Sequence, residues 1–305
     1  MVNITSLILQ NIDLFTPEEM SLGCQLVGSL PSLSALTFND CALRGDYDPR
    51  LLGVLSVIQS LFFCQCWETG ETFSSPPNDQ LSIPWRVRSL SLDDWQGPMD
   101  FLHRNPTSLN LVTRFTFRST GMRFTFLPEA ARTLLDHVKE NLEELEIADR
   151  ECSEGPKPTE SFPSCPLVKV LTFYINSAPS YFRAVVSHNN NTRVLQELRI
   201  LVGLFDALNM EETFLGIKQP LENVRSLILS EHIPKVVLKV HRCNTSPGFT
   251  EEAFQKKMWE CLSVHGELRG VDIQWERFYW RDCDCWDEDT TLSEWTRKGL
   301  RNRGS

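Results

Sequence analysis

Apolar side chains recur along this chain at a spacing that fits neither a helix nor a plain strand. In LSALTFNDCAL, residues 33–43, Leu33, Leu36, Phe38, Cys41 and Leu43 stand at offsets 0, 3, 5, 8 and 10. Offsets 3 and 5 are two apart, so they share one face of a short strand, and the residues between them point the other way. Offsets 0 and 8 then turn the chain into and out of that strand. The small side chains of Cys41, Cys66 and Asn176 occupy offset 8, where they fit inside the turn.

The 0, 3, 5 triplet starts at Ile4, Leu33, Ile58, Val87, Val112, Leu142, Val168, Leu195, Val224 and Leu268. With 41% of residues apolar, chance alone gives roughly 0.07 triplets per start and on the order of twenty in the chain. The intervals carry more weight: they are 29, 25, 29, 25, 30, 26, 27, 29 and 44 residues. The first eight average about 27, inside the roughly 20 to 29 residue pitch of leucine-rich repeats.

The rest of each unit returns along the outer side, and three stretches predict helices there. Residues 127–141 place Ala131, Leu134, Leu135 and Val138 at helical spacing behind Pro128 and Glu129. Thr16-Pro17-Glu18-Glu19 reads as a capping box ahead of Met20, Cys24 and Val27. Thr250 caps a third helix with Phe254, Met258, Cys261 and Leu262 on one face and Gly266 at its end. Strand plus helix in about 27 residues predicts an α/β solenoid of about ten repeats, a horseshoe with a parallel concave sheet and helices on the convex side.

With LSALTFNDCAL as its closest match, the chain resembles the cysteine-containing, ribonuclease-inhibitor-like class of leucine-rich repeats, especially the repeat region of fungal F-box proteins. The pattern covers residues 4–276, which gives a solenoid over 1–276 and an acidic, aromatic C-terminal cap or tail over 277–305. The resemblance implies a substrate-recognition role in a ubiquitin-ligase receptor. It also implies a ligase scaffold as partner only where an F-box module precedes these residues, because MVNITSLILQ already lies inside a repeat.

The formal charge of −10 argues against nucleic acid, whose phosphates call for clustered Lys and Arg. LLGVLSVIQSLFF, from Leu51, is the most membrane-like stretch, but it falls short of a ~20-residue span and carries Ser56, Gln59 and Ser60. The opening MVNITSLILQ lacks a positively charged n-region, so a cytoplasmic location is expected, with the nucleus as the alternative. The ten cysteines read as buried thiols of a reducing compartment rather than a disulfide framework.

Catalytic signatures are missing: the sequence holds no G-x-G, G-x-S-x-G or H-E-x-x-H. The six histidines fall on the outer connections under this reading, so no catalytic residue and no cofactor is expected. Cys64-Gln65-Cys66 and Cys283-Asp284-Cys285 have the wrong spacing for a zinc knuckle, and no metal is expected. Asp282, Asp284, Asp287, Glu288 and Asp289 form an acidic run without the order of a calcium loop. Metal binding or enzymatic activity in that Cys/Asp-rich segment is the alternative function.

Function in a repeat array lives on residues at offsets 2, 4 and 6, which face away from the core. For the ninth triplet these are Ser226, Ile228 and Ser230. Charges concentrate in the middle of the list, in Arg114, Arg118, Glu144, Glu146, Glu197 and Arg199, with Tyr174 among them and Phe62 as an outward aromatic. These eight are the candidate residues for binding a protein or peptide, since Arg and aromatic side chains dominate binding hot spots. The competing account is that Arg and Glu on adjacent strands pair with one another.

Overall fold

Eight triplets, from Ile4 to Leu195, fold as their spacing requires, each placing a strand on offsets 2 to 6. A computed structural model describes residues 4–11, 22, 25–44, 57–69, 86–93, 109–119, 129–149, 163–176, 178, 181–182, 185, 194–204, 210–231, 233–242, 250–263 and 271–275. Its strands are β1 (Ser6–Gln10), β2 (Ala35–Asn39), β3 (Ala42–Arg44), β4 (Ser60–Cys64), β5 (Trp67–Thr69), β6 (Ser89–Asp93), β7 (Arg114–Ser119), β8 (Glu144–Asp149), β9 (Val170–Tyr174), β10 (Glu197–Leu204), β11 (Val236–Arg242) and β12 (Val271–Trp275). The helices are α1 (Glu129–Val138), α2 (Met210–Glu231) and α3 (Glu251–Leu262).

Ten strands form one sheet in the order β1-β2-β4-β6-β7-β8-β9-β10-β11-β12, and β3 pairs with β5 in a second, small sheet. Every pairing is parallel, and equal offsets stand opposite each other, as in Leu36↔Leu61, Leu90↔Phe115 and Leu171↔Leu198. Each long-sheet strand therefore neighbours the next one in the chain, which is a solenoid. The residue at offset 1 repeats one further bond: the N–H groups of Ser34, Gln59, Arg88, Thr113, Glu143, Lys169 and Gln196 each donate to the preceding offset-1 carbonyl at 2.8–2.9 Å.

Leu36, Leu61, Leu90, Phe115, Leu145, Leu171 and Leu198 at offset 3 are buried, as are Phe38, Phe63, Leu92, Phe117, Ile147, Phe173 and Ile200 at offset 5. Phe38 and Phe63 stack with ring centroids 5.3 Å apart. The predicted faces of α1 and α3 join the same apolar cluster through Ala131, Leu134, Leu135 and Val138, and through Phe254, Met258 and Leu262. Phe254 meets Trp275 of β12 edge to face, so α3 lies on the side of the sheet that bears offsets 3 and 5.

Thiols close the early turns. Cys41 Sγ donates to the carbonyls of Leu9 and Asn39 at 3.4 and 3.3 Å, and Cys66 Sγ to those of Phe38 and Cys64, both at 3.4 Å. Each thiol thus ties its own turn to the offset-5 carbonyl one repeat earlier. At offset 7, just before each thiol and at the matching Asn11 of the first repeat, the chain enters the left-handed region, with φ of 53°, 52° and 52° at Asn11, Asp40 and Gln65. Asn and Asp tolerate that conformation better than most residues, which suits the first two positions. Asn176, the third predicted offset-8 residue, is exposed instead.

Three expectations need correction. The triplet at Val224 is not a strand: Leu221, Val224, Leu227 and Ile228 form the buried stripe of α2, and Leu229 is 53% exposed. The ninth strand is β11, and its register with β10 identifies the true triplet as Ile233, Val236 and Leu238. The last intervals are therefore 38 and 35 residues, stretched by the 22-residue α2 and by α3. Helix α3 ends at Leu262 with Ser263 as its cap, before Gly266. His241 lies buried within β11 rather than on a connection.

The Thr16 capping box, residues 51–56 and the whole segment 277–305 lie outside the described residues, as do His103, His188, His232 and His265. No described helix is long and apolar enough to cross a membrane.

Candidate interaction face

Alternation puts offsets 2 and 4 on the face opposite the apolar cluster, while offset 6 is partly drawn into it at Ala148, Tyr174 and Leu201, and the register aligns each offset in a row across the sheet. The offset-2 row reads Arg114, Glu144, Val170, Glu197 across β7 to β10, followed by Lys235, one residue ahead of β11. Cation, anion, apolar, anion, cation cover five neighbouring chain segments, roughly 19 Å at ~4.8 Å per strand.

The predicted charged residues all pair on this face. Arg114 Nε lies 3.3 Å from Glu144 Oε1, with both side chains about one-third exposed. Arg118 Nε donates to Glu146 Oε1 at 2.6 Å, and its Nη1 sits 3.6 Å from Asp93 Oδ2. Ser91 Oγ donates to the other oxygen of Asp93 at 3.0 Å. Arg199 Nε and Lys235 Nζ share Glu197, at 2.5 Å to Oε1 and 2.8 Å to Oε2.

These clusters differ in burial and in charge. Arg118, Asp93 and Glu146 have side chains only 13%, 5% and 15% exposed, and they sum to one negative charge. Burial works against the Arg118 charge, but Glu146 and Asp93 more than offset it and hold the guanidinium above its ordinary value. At Glu197 burial favours the neutral acid, yet hydrogen bonds from Lys235 and Arg199 hold the carboxyl below its ordinary value. Two cations on one carboxylate leave that corner one positive charge in excess.

The remaining predicted residues divide. Phe62 is half-buried between Thr37 and Ser91 in its row, available for contact. Tyr174 is buried within the apolar cluster together with Ala148 and Leu201 of its own row, so it packs rather than presents. Arg114, Glu144 and Arg199, each about one-third exposed, together with Lys235, are the accessible part of the set.

Lys235 and Lys239 escape a reading of the sequence because the frame of the ninth repeat was set on α2. Their signal is Pro234 followed by KVVLKV, three β-branched residues in a pattern typical of a strand. Among the described residues no group of three or more His, Cys, Asp or Glu is placed to hold a metal ion. The described cysteines Cys41, Cys64, Cys66, Cys165 and Cys261 are thiols rather than disulfides. No protein-family model matches the chain, and no curated protein matches it.

Proposed function

We propose that this protein is a non-catalytic interaction scaffold that binds a protein or peptide on the charged face of its long sheet. The observation that carries this reading is the offset-2 row: Arg114, Glu144, Glu197 and Lys235 stand at one height on neighbouring strands, partly exposed. A parallel ladder fixes their spacing, and a rigid row of mixed charge, cations outside and anions inside, selects a complementary row on a partner. The face is read as the concave side of a leucine-rich-repeat horseshoe, with α1 to α3 on the convex side.

The cysteine-type turns support the likeness to F-box receptor repeats, and the role proposed within that class is client recognition. A ubiquitin-ligase scaffold then joins through an F-box module encoded ahead of these residues, and the setting is cytoplasmic or nuclear. A natural transcript extending upstream with a Leu-Pro-rich helical module would establish that arrangement; one that starts at Met1 would remove it.

The test of the binding face is a pair of charge reversals, Arg114→Glu and Arg199→Glu, in the full chain. Partner recovered by affinity purification is quantified against wild type and against Lys256→Glu, whose side chain is 78% exposed on α3. Loss of the partner in the face variants alone, with an unchanged melting temperature, is the expected result. Equal recovery from all three proteins would end this reading.

A further inference from the structure

The corner built by Arg199, Glu197 and Lys235 is open where the Arg118 cluster is closed. Arg199 and Lys235 side chains are 31% and 53% exposed, against 13% for Arg118. A guanidinium has five N–H donors and an ammonium three, and Glu197 takes one from each, at Arg199 Nε and Lys235 Nζ. Both Nη groups of Arg199 are left for another acceptor.

The neighbours supply no second anion. Arg199 stands between Thr172 on β9 and Val237 on β11, both buried and uncharged. Farther out, Lys239 on β11 and Asp272 on β12, which accepts from Gln274 Nε2, are opposite charges that cancel. Two cations on Glu197 therefore leave one positive charge to be met, which suits a single carboxylate. A phosphate monoester carries about −1.5 to −2 and would bring the excess up against Glu197.

The offset-2 row adds a second feature. Val170, half-buried, breaks the run of charges two segments from Lys235, and beyond it Glu144 is already paired with Arg114. Two strand spacings are about 10 Å, which three residues of extended chain cover.

Resting on the binding-face reading, we propose that the partner is an acidic peptide. It anchors one Asp or Glu side chain on Arg199 and Lys235 and sets an apolar side chain, three residues away, on Val170.

Selection of phage-displayed random peptides on the full-length chain tests this, with the peptides fused through their C-termini so that side chains supply every carboxylate. Wild type should enrich Asp or Glu three residues from an apolar residue, in either direction. The double variant Arg199→Gln, Lys235→Gln should lose the acidic preference. In a synthetic copy of the leading peptide, phosphoserine in place of the acid should weaken binding to wild type about fivefold, and Glu197→Gln, which frees one more positive charge, should remove that penalty. The proposal is overturned by a selection that yields no peptide, by peptides without an acidic preference, by a preference that the double variant keeps, or by phosphoserine binding wild type as well as the acid does. Capture of the natural partner by Arg114→Glu is a separate readout: if it is lost while the selection fails, the acidic anchor falls and the binding face stands.

Discussion

Arg118 on β7 holds Glu146 on β8 through a 2.6 Å hydrogen bond from Nε to Oε1, both side chains almost out of water. With Asp93 on β6 they link three consecutive strands through one guanidinium. Such a cluster is expensive to break and cheap to replace as a whole. Arg118→Met should destabilise the protein by about 3–5 kcal/mol, because Asp93 and Glu146 are left buried and facing each other. The triple variant Arg118→Met, Asp93→Leu, Glu146→Leu should recover most of that loss. Urea unfolding of the three proteins decides; a single variant within about 0.5 kcal/mol of wild type would contradict the assignment.

Glu197 gives a pH signature of known sign. Its carboxyl is held below its ordinary value in the fold, so its contribution is complete above the unfolded-state value of about 4.3. It is lost as pH falls through the lower folded-state value. Wild type should therefore lose urea resistance more steeply than Glu197→Gln between about pH 5 and pH 3. Parallel curves for the two proteins would show that Arg199 and Lys235 leave the carboxyl unperturbed.

Thiol chemistry should follow burial. Cys165 is pushed up to about 12 by burial, and Cys66 is raised by its hydrogen bond with Cys41 and by burial. Since the thiolate is the reactive form, native protein at pH 8 should leave Cys66 and Cys165 unalkylated by iodoacetamide while denatured protein is fully modified. Peptide mapping reads this directly, and rapid native labelling of Cys66 would mean that its turn opens.

The frame of the ninth repeat separates two leucines that look alike in sequence. Leu238 is buried in β11, and Leu229 is 53% exposed on α2. Leu238→Ala should cost about 2–5 kcal/mol and Leu229→Ala less than about 0.5 kcal/mol. Similar costs for both would restore the strand assignment at Val224.

What could be read from the chain, and what could not, follows the strength of the period. From Ile4 to Leu195 offset 3 and offset 5 always carry bulky apolar residues, so strand positions, register and the outward face came directly from spacing. Past Leu201 the pattern fails for a physical reason. An amphipathic helix also places apolar residues three apart, and Val224 and Leu227 satisfy both periods. Gln219-Pro220 discourages a helix there as well, yet Pro220 lies within α2, near its midpoint. The short β3–β5 sheet was equally hidden, because three residues after a turn hold too little pattern to mark a strand.

For the face itself, the residue types and their rows were legible, and their depth was not. Arg114 and Arg118 lie four residues apart on one strand, yet one is a third exposed and the other nearly enclosed. Alternation gives the side of a sheet on which a residue lies, but occlusion by neighbours is a three-dimensional property. Arg118 and Tyr174, both expected to meet a partner, are nearly enclosed by their neighbours.

The strict nearest-neighbour order of the ten ribbons has a mechanical consequence. Each clasps only those immediately before and after it in the chain, so tension applied between the ends loads one seam at a time rather than the whole body. Stretched in an optical trap, the molecule should pay out in increments of one coil, with larger steps where the long α2 is released. A row of such coils can open at one end while the other end stays folded.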